Sequence, residues 1–161
     1  MIEYIWLIPL LPLLGVVINT FFGRALPRNI AAWLAAGLVG IAAAISLALL
    51  LDVRSQGEEF HGATYTLYRW MSAGEFSVNV AFWVDQLSVL MTMIVTGVGF
   101  FIHMYSIGYM AHDDGIRRYF IYLNLFIFAM LMLVLADNYL LLFLGWEGVG
   151  LCSYLLISFW F

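Results

Sequence analysis

The amino-acid sequence predicts an all-α membrane protein of about five transmembrane helices, with an extramembrane β-hairpin between the second and third helices. Hydrophobic residues make up 65% of the 161 residues, where a soluble domain has roughly 45–50%. Charged residues make up 10%, against about 25% in a soluble domain. Apolar segments also recur along the chain, and each is close in length to the roughly 20 residues that a helix needs to cross the bilayer. The chain is therefore expected to lie in a lipid bilayer.

Five apolar segments follow one another along the chain. The first contains Pro9 and Pro12, which membrane helices tolerate. It has neither a basic start nor a cleavage site, so we interpret it as a span and not as a signal peptide. The fifth begins after a turn at Asp137 and Asn138 and carries one charge. The predicted spans are residues 4–22, 30–51, 86–109, 119–136 and 138–160.

The segment between the second and third spans has a different pattern. Residues 76–82 alternate between apolar and polar with a period of two, which is typical of a strand with one covered face. Residues 65–70 are rich in β-forming side chains, and Ser72-Ala73-Gly74-Glu75 between them is typical of a turn. This predicts a hairpin over residues 64–82. The alternative is an amphipathic stretch at the membrane interface.

The arginines predict the orientation, because short cytoplasmic loops of membrane proteins collect Arg and Lys. Arg24 and Arg28 lie in the first loop, and Arg117 and Arg118 lie in the third. Five antiparallel spans place these two loops on the same side. The hairpin and the turn at Asp137 are then expected on the outer side.

Composition and motifs exclude several classes of function. A net charge of −4 and the absence of lysine argue against nucleic acid as a partner. Cys152 is the single cysteine, so neither a disulfide framework nor a cysteine-based metal site is expected. No phosphate loop, haem pair or iron–sulfur run occurs in the sequence, and we expect no redox centre or metal in this chain.

Glu147 is the candidate for chemistry because of its depth in the fifth span. It lies nine residues beyond Asn138, or about 13 Å along a helix. A charged residue there costs on the order of 2.5–3.5 kcal/mol, so such residues are rare and usually face a bundle interior. The functional interpretation is a buried proton relay or an ion-pair switch. The structural alternative is a permanently neutral carboxyl group bonded to a neighbouring helix.

Small residues around Glu147 indicate close helix packing. Gly145, Gly148 and Cys152 are spaced by three and four residues, so they share one helix face that a second helix can approach closely. Gly150 and Tyr154 share the face of Glu147 instead.

Other polar residues are candidates for supporting a proton path together with Tyr154. His103 lies near the inner end of the third span, where a lone histidine is more often a hydrogen-bonded structural residue than a proton carrier. Asn124 in the fourth span is expected to join two helices by a hydrogen bond. Asp85 and Asp137 lie at the outer boundary, where turn or helix-capping roles come first.

Three stretches of sequence carry a resemblance to a known family. The most specific is Trp-Glu-Gly-Val-Gly-Leu-Cys-Ser-Tyr at residues 146–154, and the others are Trp-Val-Asp-Gln-Leu-Ser at 83–88 and Val-Thr-Gly-Val-Gly-Phe at 95–100. Together they make the chain resemble the L-type, antiporter-like membrane subunit of the respiratory NADH–quinone oxidoreductase, complex I. The resemblance extends over the whole chain.

The resemblance implies a part in redox-driven proton pumping across the inner membrane of a bacterium. It implies that FMN, the iron–sulfur clusters and the quinone are bound by partner subunits, with none in this chain. It also implies that the carboxylate of Glu147 forms an ion pair with a lysine on a later helix. Other membrane subunits of complex I and the lipid bilayer are the expected partners.

The chain departs from this family in one respect. Family members have further helices that bear the lysine, whereas this chain stops at Phe161 and contains no lysine. We therefore expect the N-terminal piece of a longer or split subunit. Two alternatives stay open. One is a subunit of a multisubunit cation/proton antiporter, and the other is a structural membrane module in which Glu147 is inert.

Overall fold

The computed structural model describes residues 2–57, 60–74 and 76–160, and it folds them into five long helices and one hairpin. All five helical segments are long and apolar enough to cross a membrane. The predicted fold class is thereby confirmed. A short 3-10 turn at Ile2–Tyr4 comes first, and the elements are α1 (Leu7–Phe21), α2 (Arg28–Gln56), β1 (Ala63–Ala73), β2 (Phe76–Val84), α3 (Gln86–Tyr109), α4 (Ile116–Val134) and α5 (Tyr139–Ile157).

The helix ends differ from the predicted spans by a few residues. The largest difference is in α2, which begins at Arg28 and continues past residue 51 to Gln56. Apolar length marks the part of a helix that fits into lipid, whereas the hydrogen-bonded spiral continues into water until the backbone turns. In α2 that turn comes at Gly57, whose φ of 64° leaves the helical region.

Helix α4 lies at the centre of the helix packing and contacts all four of the other helices. Helix α2 contributes small side chains, among them Ala32, Ala35 and Ala36, all of them buried. Small residues let neighbouring helices approach closely where lipid supplies no hydrophobic driving force. Aromatic side chains, with Phe120 fully buried, fill the core at the end of the bundle that carries the arginine loops.

The hairpin forms as predicted, with longer strands than expected. Strands β1 and β2 pair antiparallel from Ala63 opposite Val84 to Ala73 opposite Phe76, with two register shifts in β1. Val78 and Phe82 are buried and Ser77 is exposed, which fits the alternation. Glu75 of the predicted turn, and the side chain of Phe76, lie outside the described part of the chain.

The alternation ends near residue 81 because β2 contacts a second element there. Trp83 N–H donates to the Leu135 carbonyl at 2.9 Å, and Asp137 N–H donates to the Ala81 carbonyl at 3.2 Å. The free edge of β2 is thus paired by the α4–α5 turn. Ala81 and Phe82 are consequently both buried, so the prediction of one covered face is wrong for the end of this strand.

The arginine loops meet at the opposite end of the bundle from the hairpin. Arg28 forms a salt bridge with Asp114 at 2.7 Å. The Arg117 guanidinium donates to the Leu26 carbonyl at 2.7 Å. The first and third interhelical loops therefore lie side by side, as the pattern of arginines predicted.

The first prediction concerns orientation. Gln56→Cys at the end of α2 should react with an impermeant thiol reagent added outside intact cells, whereas Ala111→Cys in the loop between α3 and α4 should react only after permeabilisation. Both positions are exposed. Cys152 is buried, so the parental chain provides an unlabelled control. The opposite pattern would contradict the assigned orientation.

A second prediction concerns the start of α3. Ser88 N–H donates to Asp85 Oδ1 at 2.6 Å, and Asp85 N–H donates to Ser88 Oγ at 2.8 Å. Burial acts to raise the pKa of Asp85, but hydrogen bonds from Ser88 and Trp83 outweigh it and hold the pKa below its ordinary value. Asp85→Ala should lower the free energy of unfolding by about 1 kcal/mol, measured by denaturation in mild detergent.

The pH dependence of this cap has a definite sign. The pKa of Asp85 is lower in the folded state, so its stabilisation is present above the unfolded value of about 3.9 and is lost as pH falls through the folded value. The difference between parent and Asp85→Ala should therefore shrink at acid pH. Asp85→Asn, which keeps an acceptor oxygen, is the matched control and should lose much less stability at neutral pH. A stable Ala variant would exclude the capping role.

Candidate functional site

Glu147 occupies the middle of α5, and the start of that helix is held by Asn138. The Asn138 side-chain oxygen accepts from Leu141 N–H at 3.0 Å, which satisfies one of the free donors of the first turn. Its Nδ2 donates to the Asn79 carbonyl of β2 at 2.8 Å. Since α5 runs from Tyr139 to Ile157, this anchor places Glu147 within one residue of the helix midpoint.

One face of α5 packs tightly on α4 through the small residues that the sequence singled out. A Cβ at Gly145 would lie 2.6 Å from the Leu133 backbone nitrogen, and one at Gly148 would lie 3.0 Å from the Ala129 Cβ. Cys152 on the same face is fully buried. The prediction of a close helix contact along these three positions is confirmed.

The expected burial of Glu147 is wrong for this chain. Glu147 is exposed, because it lies two residues, or about 200°, around the helix from the contact residue Gly145. Its neighbours on that face are open as well: a Cβ at Gly150 would meet no described atom within 4 Å, and Tyr154 is 68% exposed. The position of Glu147 along the helix was predictable from the sequence, but the direction in which its side chain points was not.

The face of α5 around Glu147 is otherwise apolar. Phe143, Trp146 and Leu151 are all more than half exposed. Of the five spans, α5 has the smallest share of its residues buried. A carboxylate in the centre of such a surface would face hydrocarbon if this chain were alone in a bilayer.

A second polar centre lies inside the bundle and joins α3 to α4. His103 and Asn124 are both fully buried. His103 Nδ1 lies 2.7 Å from the Gly99 carbonyl oxygen, and Nε2 lies 2.8 Å from Asn124 Oδ1. These are the hydrogen-bonded histidine and the helix-joining asparagine that the sequence led us to expect at these positions.

Asp137 lies apart from both centres. It is exposed at the hairpin end of the bundle and accepts a hydrogen bond from Thr64 Oγ1 at 3.3 Å. The structure therefore separates the predicted supporting residues into three places: Asp137 at the surface, His103 with Asn124 in the bundle, and Tyr154 on the open face of α5.

Sequence reasoning missed a hydroxyl pair near the inner end of α3. Ser106 Oγ lies 3.3 Å from Tyr119 Oη. The spacing of Ser88, Thr92, Thr96, His103 and Ser106 along one helix face was the signal that could have revealed it. Among residues 2–57, 60–74 and 76–160, no three His, Cys, Asp or Glu side chains cluster as metal ligands would.

Comparison with known proteins shows which family this chain resembles. Residues 70–120 match the family described as NADH-ubiquinone oxidoreductase (complex I), chain 5 N-terminus. The chain is 46% identical over 152 residues to the NADH-quinone oxidoreductase subunit L of Escherichia coli K12, covering 94% of this chain and 24% of that protein. It is 45% identical over 164 residues to the subunit L of Mycobacterium tuberculosis H37Rv, covering 99% of this chain and 25% of that protein.

A solved structure shows the same arrangement of helices. A chain of the Mrp complex from Dietzia sp. DQ12-45-1b superposes with a TM-score of 0.76 and 29% sequence identity, covering 96% of this chain and 16% of that chain. The present chain thus spans about a quarter of the length of the curated relatives that it matches.

The two faces of α5 generate a prediction. Gly145→Ala should lower stability by roughly 1–3 kcal/mol, because its methyl group would overlap the backbone of α4. Gly150→Ala adds the same methyl group on the open face and is the matched control. It should leave stability unchanged or raise it by up to about 1 kcal/mol. Denaturation of the 161-residue chain in detergent measures both values, and equal values would contradict the packing described.

Proposed function

Since this chain belongs to the L-type, antiporter-like subunit family of NADH–quinone oxidoreductase, we propose that it supplies the first membrane helices of a proton-translocating subunit of that complex. The NADH and quinone chemistry, with its FMN and iron–sulfur clusters, then belongs to partner subunits. This chain contributes to proton movement. A location in the bacterial inner membrane, among other membrane subunits, forms part of the proposal.

The observation that carries the proposal is the position of Glu147. It lies at mid-helix on a face that α1–α4 leave open, and an ionisable group at that depth belongs against protein or water and not against lipid. The matched relatives are about four times longer than this chain. Their additional length is sufficient to cover this face, and the adjoining Gly150 leaves room for a close approach.

The chemistry that this arrangement supports is a carboxylate whose charge depends on a movable partner. A cation brought next to Glu147 by a later helix favours the ionised form, and its withdrawal in a desolvated site favours the protonated form. Alternation between the two states takes up and releases one proton for each cycle. A lysine is the partner that the family resemblance implies.

A cation/proton antiporter subunit is the second candidate, and the likeness to a chain of an Mrp complex favours it. The higher sequence identity to subunit L proteins supports the first candidate. Purification from the native membrane distinguishes them: a flavin and iron–sulfur arm that copurifies with the chain indicates complex I, and its absence from an intact multisubunit assembly indicates the antiporter.

A substitution at Glu147 tests the relay in the complete complex. Glu147→Gln keeps the shape and the hydrogen-bonding capacity of the side chain but removes the titration. Proton pumping for each NADH oxidised should therefore fall about tenfold or more, while assembly survives because a neutral amide costs no more to insert than a carboxylate. Glu147→Asp, which still titrates, should have a milder effect. Inverted membrane vesicles with a pH-sensitive dye give the measurement.

The matched control removes a carboxylate of no predicted function. Asp114 is exposed and pairs with Arg28 at the surface, where an ion pair contributes about 0.2–1 kcal/mol. Asp114→Asn should therefore pump like the parent. If Glu147→Gln assembles and also pumps like the parent, Glu147 is a structural carboxyl group and the relay is excluded.

A further inference from the structure

A buried line of polar side chains runs along α3 on the face that packs into the bundle. Its members are buried and lie three, four or seven residues apart: Ser88, Thr92, Thr96, His103 and Ser106. From the first to the last it extends about 27 Å along the helix axis, which is close to the roughly 30 Å thickness of the hydrocarbon core. His103 is the ionisable member, and the proposed role of Glu147 does not involve it.

The hydrogen bonds of His103 couple its protonation state to the orientation of the Asn124 amide. Nδ1 lies 2.7 Å from the Gly99 backbone carbonyl, which can only accept, so Nδ1 must carry a hydrogen. Nε2 lies 2.8 Å from Asn124 Oδ1, which is also an acceptor. With the carbonyl oxygen of Asn124 in that position, Nε2 must carry a hydrogen too, and the ring is an imidazolium. A neutral ring requires the amide to turn by 180° so that Nδ2 donates to Nε2.

The surroundings of Asn124 allow the amide to turn. Its Nδ2 has no hydrogen-bond partner within the described ranges of the chain, so no second bond holds the amide in one orientation. The group lies against Gly15 of α1, where a Cβ on any other residue would collide with Asn124 Nδ2. Glycine at this position leaves space for either end of the amide.

We propose that His103 and Asn124 form a proton-binding switch inside the α1–α4 bundle, separate from Glu147. A proton from water binds to the lone pair of Nε2, an N–H bond forms, and Asn124 turns its oxygen toward the new donor. Release reverses each step: the N–H bond breaks, the proton returns to water, and Nδ2 donates to the neutral ring. The site changes between charges of 0 and +1, and no other covalent bond changes.

Among the described residues, the helices around His103 bring no carboxylate to it. Helix α1 has no ionisable side chain, and the ionisable residues of α2 lie in its end turns. Those of α4 lie in its first two turns, and Tyr105 and Tyr109 of α3 are more than half exposed. These groups are Arg28, Asp52 and Arg54 of α2, and Arg117, Arg118, Tyr119 and Tyr122 of α4. The orientation of the Asn124 amide therefore decides how well the imidazolium is stabilised.

Access for the proton comes from the end that carries the arginine loops. Ser106, one turn from His103 on the same face, bonds to Tyr119 in the first turn of α4. This hydroxyl pair lies between the imidazole and the loop at that end. Toward the start of α3, His103 Nδ1 is bonded to the Gly99 carbonyl. The Thr96 hydroxyl on the same side donates to the Thr92 carbonyl at 2.8 Å.

The test is the protonation of His103, measured in the full chain reconstituted in lipid nanodiscs. Ring-¹⁵N-labelled histidine distinguishes the Nδ1–H neutral ring, the Nε2–H neutral ring and the imidazolium by NMR between pH 5 and 9. The chain has three histidines. His61 and His112 are exposed and serve as internal references. His103→Gln assigns the remaining signal.

The expected result is a His103 signal that converts between the Nδ1–H neutral form and the imidazolium without passing through the Nε2–H form. Asn124→Asp, which places a carboxylate at Nε2, should raise the midpoint by about one pH unit or more. Glu147→Gln should leave the midpoint unchanged, and this separates the switch from the relay at Glu147. A single protonation state across the whole range, or an Nε2–H ring, overturns the proposal without any variant being needed.

Discussion

A peptide group in hydrocarbon finds no water to bond, so each N–H and C=O must find its partner within the protein. This constraint selects helices for every segment that crosses the lipid and confines the hairpin to the membrane surface. It extends to side chains: Ser46 in α2 donates to the Ala42 carbonyl at 2.8 Å, and Thr96 does the same toward Thr92. It also governs the edge of β2, whose free groups are paired by the α4–α5 turn. Asn124 Nδ2 is one of the buried side-chain atoms that have no hydrogen-bond partner in the described part of the chain, and it belongs to the centre around His103.

Helix α4 separates this centre from Glu147. Asn124 faces α3 and α1, whereas Leu133, nine residues and about 180° further around the helix, contacts Gly145 of α5. His103 is thus enclosed by the first four helices, and Glu147 is directed away from them. The surroundings of His103 are therefore provided by this chain. Covering Glu147 requires protein that the first four helices do not provide.

The first four helices nevertheless determine how Glu147 is presented. Asn138 ties the start of α5 to β2 through the Asn79 carbonyl. Strand β2 in turn leads into α3 through Asp85, the residue that caps the start of α3. The contact of Gly145 and Gly148 with α4 sets the rotation of α5 about its own axis. The hairpin, the α4–α5 turn and the glycine face therefore act together to hold one carboxylate at the middle of α5, pointing away from the other four helices. This explains in physical terms why an extramembrane hairpin belongs to a subunit proposed to act within the membrane.

The number of helices, the hairpin, the common side of the arginine loops and the depth of Glu147 followed from the sequence, because apolar length, period-two alternation and position along a helix are local properties of the chain. The glycine contact of α5 also followed, since Gly145, Gly148 and Cys152 share a face in any helix. The direction of Glu147 did not follow, because the same spacing is compatible with packing on either face until α4 is in place. The pairing of His103 with Asn124 across 21 residues, and the space that Gly15 provides from a third helix, depend on how three separate segments pack. Helical periodicity can be read from the sequence alone, whereas the rotation of each helix against its neighbours is decided only when the bundle is assembled.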